Sequence, residues 1–254
     1  MQLSSESPFS LLVSSDEHLR GYQQGPEHGP LGIFLPGFAS DLGGSKSTLL
    51  AQHAARSRWG WLRFDYRGMG LSDGSFAELS ISRYLADLEA ILAHFAQRPT
   101  LLVGSSMGGW VATLAAHRHP EQIQGAVLIA PAFNFIQQYF ERLDSASRQT
   151  WRDRGIHHWS LGPGGPSFPL QFTAVRDAMQ YDPFQNPPML PMPIHILHGS
   201  EDEAVPLLQS YAFMGIARGR NRALEVLPGI DHRLQGAERP LLQAVERLWS
   251  YCFG

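Results

Sequence analysis

The sequence has one cysteine and one lysine among its 254 residues, and it contains no long hydrophobic run. A single cysteine, Cys252, excludes an internal disulfide and a zinc site built from several cysteines. Because Lys46 is the only lysine, catalysis by a lysine side chain would have one candidate. No stretch approaches the roughly 20 apolar residues that span a bilayer, so we expect no stable membrane insertion.

Strong charge, targeting signals and metal motifs are also missing. The formal net charge is −3, and no basic stripe is available to neutralise phosphates, so we expect no nucleic-acid partner. The first fifteen residues hold no basic residue and no long apolar run, which predicts no secretory signal and a cytoplasmic location. There is no His-Glu-x-x-His run, and the consecutive His157 and His158 are poorly spaced to share an ion, so no metal and no cofactor are expected.

Short apolar runs alternate with amphipathic stretches along most of the chain. The runs predict strands at residues 11–13, 18–23, 32–35, 61–64, 101–103, 126–129, 194–197 and 223–226. The amphipathic stretches predict helices at residues 46–58, 82–95, 107–117, 207–217 and 239–251. This alternation predicts one α/β domain over residues 1–254, with a mostly parallel eight-stranded sheet covered by helices on both faces. The first two strands, which no helix separates, would be its antiparallel part.

Residues 130–193 interrupt the alternation. This segment is long and aromatic, and it contains the run Gly162-Pro163-Gly164-Gly165. A structureless loop of this length is uncommon in a compact domain. We therefore predict a helical lid insertion at about residues 132–190, lying over the sheet edge with one turn-rich excursion. The alternative is an ordinary connection between strand and helix with surface decoration.

The sharpest functional signal is the run Gly104-Ser105-Ser106-Met107-Gly108. It follows the predicted strand at 101–103 and opens the predicted helix at 107–117, which is the setting of a nucleophile elbow. Glycines on both sides of Ser106 would let strand and helix pass closely, and the helix N-terminus would favour developing negative charge. Ser106 is the predicted nucleophile. Ser105 lacks the symmetric glycine flanks and is the weaker candidate.

A serine hydroxyl needs a base, and in such folds the chain order is serine, acid, histidine. His232 lies in a short loop between the last predicted strand and the last predicted helix, so it is the candidate base. Asp202 follows the strand at 194–197 and would orient this histidine. Glu201 and Glu203 remain alternatives for the acid, and Lys46, in a predicted surface helix, remains an alternative base.

Acyl transfer also needs donors for the tetrahedral oxyanion. The amide of Met107, directly after the nucleophile, is one candidate. The amide of Phe38, in the loop that begins with Pro36-Gly37, is the second. Two further acids are expected to shape loops: Asp231 beside the histidine, and Asp65 through hydrogen bonds to Arg67 and to backbone amides.

Several runs together resemble one family more closely than the general motif requires. They are Pro36-Gly37-Phe38, residues 63–68 with Ser72-Asp73-Gly74, residues 104–110, His198-Gly199 with Asp202 and Val205-Pro206, and Asp231-His232-Arg233. Together they span about residues 31–235. The chain resembles the α/β-hydrolase-domain palmitoyl-protein thioesterases of mitochondria, which are also described as acyl-glucuronide esterases.

The resemblance implies the α/β-hydrolase fold, a triad of Ser106, Asp202 and His232, and oxyanion donors at Phe38 and Met107. It implies hydrolysis of acyl esters or thioesters. The likeness is thin over residues 132–193, and the chain begins without an Arg-rich, Ser-rich transit segment. Neither an acyl-chain preference nor a mitochondrial location is therefore carried over.

The expected function is hydrolysis of small acyl esters or thioesters through an acyl-enzyme. A carbon–carbon bond hydrolase or a cofactor-free haloperoxidase would use the same three groups. A ligand-binding receptor or pseudoenzyme on the same fold is the alternative from another class. The sequence leaves the oligomeric state unknown.

Overall fold

The computed structural model describes residues 6–160, 165–219 and 221–254. Its strands are β1 (Ser7–Leu12), β2 (His18–Gln24), β3 (Leu31–Leu35), β4 (Gly60–Asp65), β5 (Thr100–Ser105), β6 (Ile123–Ile129), β7 (Ile156–Ser160), β8 (Ser167–Gln171), β9 (Ile194–Gly199) and β10 (Arg222–Leu227). Its α-helices are α1 (Ser45–Ser57), α2 (Ile81–His94), α3 (Met107–Arg118), α4 (Phe135–Arg142), α5 (Ser145–Arg154), α6 (Phe172–Ala178), α7 (Leu207–Ile216) and α8 (Glu238–Phe253).

Within the described residues, eight strands form one sheet in the order β1-β2-β4-β3-β5-β6-β9-β10. Strand β2 is antiparallel to both of its neighbours, and all other pairs are parallel. The predicted eight-stranded, mostly parallel sheet is thereby confirmed. Each strand lies where the sequence places it, with ends that differ by a few residues. Because β5, β9 and β10 run in parallel, the loops that follow them meet at one edge of the sheet.

Helices cover both faces of the sheet, and each face has its own apolar core. Along β5, Leu102 enters one core with residues of α2 and α3, while Leu101 and Val103 enter the other with residues of α1 and α8. This alternation follows from the two-residue period of a strand. Complete burial of a leucine side chain contributes roughly 1.5–3 kcal/mol, so the two cores hold the sheet edge that carries the site in place.

The segment between β6 and β9 contains helices α4, α5 and α6, as expected, and also a hairpin that the sequence did not predict. Strands β7 and β8 pair antiparallel in a separate two-stranded sheet. Of the predicted turn at Gly162-Pro163-Gly164-Gly165, all but Gly165 lie outside the described residues. The hairpin was missed because its aromatic residues are equally compatible with a buried helix.

None of the helices within the described ranges combines the length and the apolarity that crossing a bilayer requires.

Candidate active site

Ser106 lies at the sharp turn between β5 and α3. Its backbone has φ 55° and ψ −117°, a conformation that costs a non-glycine residue of order 1–3 kcal/mol. A Cβ on Gly104 would lie 2.3 Å from the carbonyl oxygen of Gly108, and a Cβ on Gly108 would lie 2.2 Å from that of Leu35. The glycines are therefore required by close backbone approaches, as the sequence suggested.

His232 lies in the loop between β10 and α8, and its Nε2 is 3.1 Å from the Ser106 Oγ. Two neighbouring contacts shape this loop. The carboxylate of Asp231 accepts the amide of Arg233 at 3.0 Å, which agrees with the loop role expected for Asp231. The ammonium of Lys46 donates to the carbonyl oxygen of Arg233 at 3.1 Å.

Asp202 follows β9, and its Oδ2 lies 2.7 Å from the Nδ1 of His232. Its Oδ1 accepts the amides of Ala204 at 3.0 Å and Val205 at 2.7 Å. Burial by itself acts to raise the pKa of this carboxyl, but hydrogen bonds from two imidazoles and from the Val205 amide hold the pKa well below its usual value. Of the three acidic candidates, only Asp202 contacts His232 in the described part of the chain.

The three side chains form a hydrogen-bonded series from hydroxyl to imidazole to carboxylate. Because Asp202 accepts a hydrogen bond from the Nδ1–H of His232, the Nε2 of His232 is left as the acceptor for the Ser106 hydroxyl. This is the arrangement in which an imidazole can remove a proton from a serine as the serine attacks.

The two candidate oxyanion donors lie on either side of Ser106. Met107 is the first residue of α3. Phe38 follows Gly37, at which a Cβ would lie 3.2 Å from the Cβ of Ser106. Among the described residues, neither the Phe38 amide nor the Met107 amide has a hydrogen-bond acceptor. Both amides are thus free to donate.

A cleft of about 930 Å³ opens over these groups. The segment between β6 and β9 supplies much of one wall, through Ala132, Phe135, Gln138, Tyr139, Arg142 and Trp159. The ring of Trp159 stacks on Tyr139 with centroids 3.8 Å apart and packs on Phe38 with centroids 4.9 Å apart. Aromatic residues of the predicted insertion therefore line the same cleft as Ser106, and Trp159 contacts Phe38, the residue that carries a candidate oxyanion donor.

Two sequence-based expectations about charged residues need correction. Arg67 does not pair with Asp65: it binds Asp87 at 2.5 Å and Glu17 at 3.1 Å. Asp65 instead accepts the amides of Leu42 and Leu71 at 2.7 and 2.8 Å, so only the expected backbone contacts are present. The sequence could not decide whether Arg67 binds Asp65 or Asp87, because both acids lie close to the loop that contains Arg67.

Lys46 was expected on a surface helix, but it lies in the first turn of α1, half-buried at the cleft wall. Burial lowers the pKa of its ammonium group. It contacts the loop of the candidate base and has no described contact with Ser106.

One residue at the site was missed. His198, at the end of β9, is completely buried, and its Nε2 lies 3.2 Å from the Asp202 Oδ2. The available signal was its position, four residues before Asp202 at the carboxyl end of a central strand.

Comparisons with known proteins place the chain among relatives of similar architecture. A model of the serine aminopeptidase, S33 family matches residues 31–189. This region is more than half of the chain, and it includes Phe38, Ser106 and Met107 but ends before Asp202 and His232.

A relative in sequence is the "Palmitoyl-protein thioesterase ABHD10, mitochondrial" of Rattus norvegicus. It is 33% identical over 179 residues, which cover 68% of this chain and 59% of that protein. The match thus spans about three fifths of the length of this curated relative.

Two solved structures share the fold over almost the whole chain. A protein from Agrobacterium vitis S4, described as a candidate hydrolase, has a TM-score of 0.88 and 27% identity, covering 97% of this chain and 99% of that chain. The α/β hydrolase domain-containing protein 10 from mouse has a TM-score of 0.82 and 25% identity, covering 95% and 99%.

The sheet and these similarities together define the α/β-hydrolase fold. The chain belongs to the serine aminopeptidase, S33 family.

Proposed function

We propose that this protein hydrolyses carboxylic esters or thioesters of acyl groups through an acyl-enzyme. Ser106 is the nucleophile, His232 is the general base and acid, and Asp202 orients and stabilises His232. The amides of Phe38 and Met107 bind the oxyanion. The observation that carries the proposal is the hydrogen-bonded series of Ser106, His232 and Asp202 at the floor of the cleft.

The reaction has two similar halves. Ser106 Oγ attacks the carbonyl carbon while its proton moves to His232 Nε2, and the carbonyl oxygen becomes an oxyanion. Collapse of this intermediate breaks the bond to the alcohol or thiol, which leaves with the proton from His232. Water then attacks the acyl-enzyme with the same base, and the free acid and the Ser106 hydroxyl are regenerated. Loss of one oxyanion donor typically costs roughly 100- to 1000-fold in rate, so the two amides are an essential part of the proposed mechanism.

The surroundings of Ser106 favour an apolar acyl group. Phe38, Phe135, Tyr139 and Trp159 all line the cleft, together with several charged residues, and the aromatic part of such a cleft suits an apolar group. In this proposal residues 132–190 act as a lid that forms the acyl pocket. The relative described as a palmitoyl-protein thioesterase makes a thioester as plausible a substrate as an oxygen ester, and the assay must include both.

The test replaces Ser106 by alanine and measures hydrolysis of p-nitrophenyl butyrate and of an acyl-CoA. We expect Ser106→Ala to lose activity by at least about a thousandfold, because the nucleophile is gone. Ser105→Ala is the matched control: it removes the adjacent hydroxyl, which has no described contact with His232, and activity is expected to stay within a few fold. Equal rates for wild type and Ser106→Ala would overturn the proposal.

A fluorophosphonate probe separates an enzyme from a binding protein on the same fold. An activated serine reacts covalently with the probe, so wild type becomes labelled and Ser106→Ala does not. A receptor with an inert hydroxyl would leave both unlabelled. A substrate panel that includes carbon–carbon bond substrates and halide oxidation distinguishes the other reactions open to the same groups.

A further inference from the structure

A second imidazole lies behind the acid. His198, the fifth residue of β9, is completely buried and does not belong to the series that leads from Ser106 to Asp202. A buried imidazole carries polar nitrogens that must be satisfied in the protein interior. The partners of its two nitrogens show what it does.

The Nε2 of His198 faces two acceptors. It lies 2.9 Å from the carbonyl oxygen of Val205 and 3.2 Å from the Oδ2 of Asp202. Since neither a carbonyl nor a carboxylate can donate, we assign the ring proton to Nε2, which donates to the Val205 carbonyl oxygen and lies beside the Asp202 carboxylate.

The Nδ1 of His198 lies 2.7 Å from the hydroxyl oxygen of Ser210 on α7. With the ring proton on Nε2, Nδ1 is an acceptor, so the Ser210 hydroxyl donates to it. Ser210 is itself completely buried. It therefore selects the tautomer that presents Nε2–H to the acid and links the acid to α7.

His198 completes the set of donors around a buried carboxylate. Oδ1 of Asp202 accepts the amides of Ala204 and Val205, and Oδ2 faces the Nδ1 of His232 and the Nε2 of His198. The Val205 peptide is held on both sides, because its amide binds Asp202 and its carbonyl oxygen binds His198. A carboxylate with two contacts on each oxygen has little freedom to rotate away from its histidine.

We propose that His198 is a positioning residue, whose Nε2–H fixes the turn from Asp202 to Val205 and aims the Oδ2 of Asp202 at His232. The inference rests on the proposed function, since it concerns the efficiency of the same site. It adds a residue that touches no substrate and acts through the acid alone. An aliphatic residue in its place would leave the Val205 carbonyl oxygen and one side of the buried carboxylate without a donor.

Two amide substitutions separate the donor from the rest of the ring. The side-chain nitrogen of His198→Gln can reach the place of Nε2 and keep the donor to Asp202 and Val205. The shorter side chain of His198→Asn reaches only the place of Nδ1, so it can contact Ser210 but supplies no donor to the acid. Because Asn leaves the Val205 carbonyl oxygen without its donor and Gln does not, we expect His198→Asn to be the less stable of the two variants.

We expect kcat of His198→Asn to fall by about tenfold to a hundredfold with KM changed by less than about threefold, because a hydrogen bond to a buried charged group is lost. His198→Gln should recover most of kcat. Thermal unfolding of both variants, measured alongside, gives an assay temperature at which both are fully folded. At that temperature a purely structural residue would leave kcat near the wild-type value in both variants. Equal kcat values for Asn and Gln, high or low, would overturn the proposal.

A measurement on the wild-type protein tests the expected tautomer directly. Nitrogen-15 NMR of the histidine side chains reports which ring nitrogen carries the proton, and His198 should be the Nε2–H tautomer. Replacing Asp202 by Asn should shift the Nε2–H resonance of His198, because one of its acceptors loses its charge. The Nδ1–H tautomer, or a resonance that does not respond to Asp202→Asn, would contradict the proposal. If Ser106→Ala is inactive while His198→Asn is normal, only this inference fails; if Ser106→Ala is fully active, the proposed function itself fails.

Discussion

Ser106 has a backbone conformation that few residues other than glycine adopt. Backbone hydrogen bonds hold this conformation: the amide of Ser106 donates to Ile129 at 2.8 Å, and its carbonyl oxygen accepts from Gly109 at 2.9 Å, Ala132 at 3.1 Å and Trp110 at 3.4 Å. The turn forms only because Gly104 and Gly108 have no Cβ that would overlap neighbouring backbone atoms. These glycines are therefore required for the turn by close packing and not by a need for flexibility.

Gly108→Ala tests this dependence. The added Cβ would lie 2.2 Å from the carbonyl oxygen of Leu35 and 2.6 Å from that of Pro36, and backbone atoms cannot move aside cheaply. We expect the free energy of unfolding to fall by about 1–3 kcal/mol, which is typical of overpacking. Hydrolysis should fall as well, because Pro36 leads into the Phe38 loop. Urea titration and the ester assay measure the two effects.

Gly215→Ala is the matched control for that substitution. Gly215 lies in α7, and nothing is within 4 Å of the position that its Cβ would take. Alanine is favoured over glycine in a helix by up to about 1 kcal/mol, so this variant should be as stable as wild type or more stable. A Gly108→Ala variant as stable as Gly215→Ala would show that the close approach at the elbow is not a real constraint.

The hairpin of β7 and β8 connects the segment between β6 and β9 with the loop that contains Phe38. It positions Trp159 and Phe168 against Phe38, with centroids 4.9 and 5.8 Å from the Phe38 ring. The same Phe38 residue carries one of the proposed oxyanion donors on its backbone. In the proposed function, one element therefore shapes the acyl pocket and supports the loop that carries Phe38.

Trp159→Ala should change both properties. Loss of the indole enlarges the cleft, so the preference among p-nitrophenyl esters should shift toward longer acyl chains. Each aromatic contact contributes about 0.5–1.5 kcal/mol beyond its buried area, and loosening Phe38 should lower kcat/KM for the butyrate by up to about tenfold. An acyl-chain-length profile measures the shift.

Trp249→Ala is the control for a lost tryptophan far from the cleft. Trp249 stacks on Trp59 with centroids 4.3 Å apart and packs against the core that contains α1 and α8. It should lower stability and leave the chain-length profile unchanged. Identical profiles for Trp159→Ala and wild type would rule out the indole as a wall of the acyl pocket.

At the scale of the whole molecule, the parallel sheet brings distant residues to one edge. Ser106 follows β5, Asp202 follows β9 and His232 follows β10, although 126 positions separate the first from the last. Two cores, one on each face, hold the three strands in register. The contacts of the site form only in the folded protein. The charge on Asp202 therefore contributes to the free energy of unfolding of the whole domain.

Acid titration measures that contribution. The pKa of Asp202 is lower in the folded protein than its ordinary value of about 4. Its stabilising effect is therefore complete above pH 4 or so, and it is lost as the pH falls toward the folded-state pKa. The free energy of unfolding should fall more steeply between pH 4 and pH 2 for wild type than for Asp202→Asn, whose amide does not titrate. Parallel curves over that range would contradict the depressed pKa.

Most of the fold and the identity of the candidate site residues could be read from local patterns. The two-residue and 3.6-residue periods determine strands and helices because burial acts on each segment separately. The turn that contains Ser106 is determined by adjacent glycines, and the order of serine, acid and histidine follows from which strand each residue succeeds. These features depend on neighbours in the chain, so one sequence was enough to predict them.

Tertiary structure alone decided the contacts between segments that are distant in sequence. The hairpin against Phe38, the pairing of Arg67 with Asp87, the placement of Lys46 at the cleft wall and the second imidazole behind Asp202 all belong to this group. In each case several side chains of similar chemistry could make the contact. Distances of a few ångströms in the packed structure determine which of them does. A pattern of residue types carries no such distances, so the sequence could name His198 as part of a run without revealing its contact with the acid.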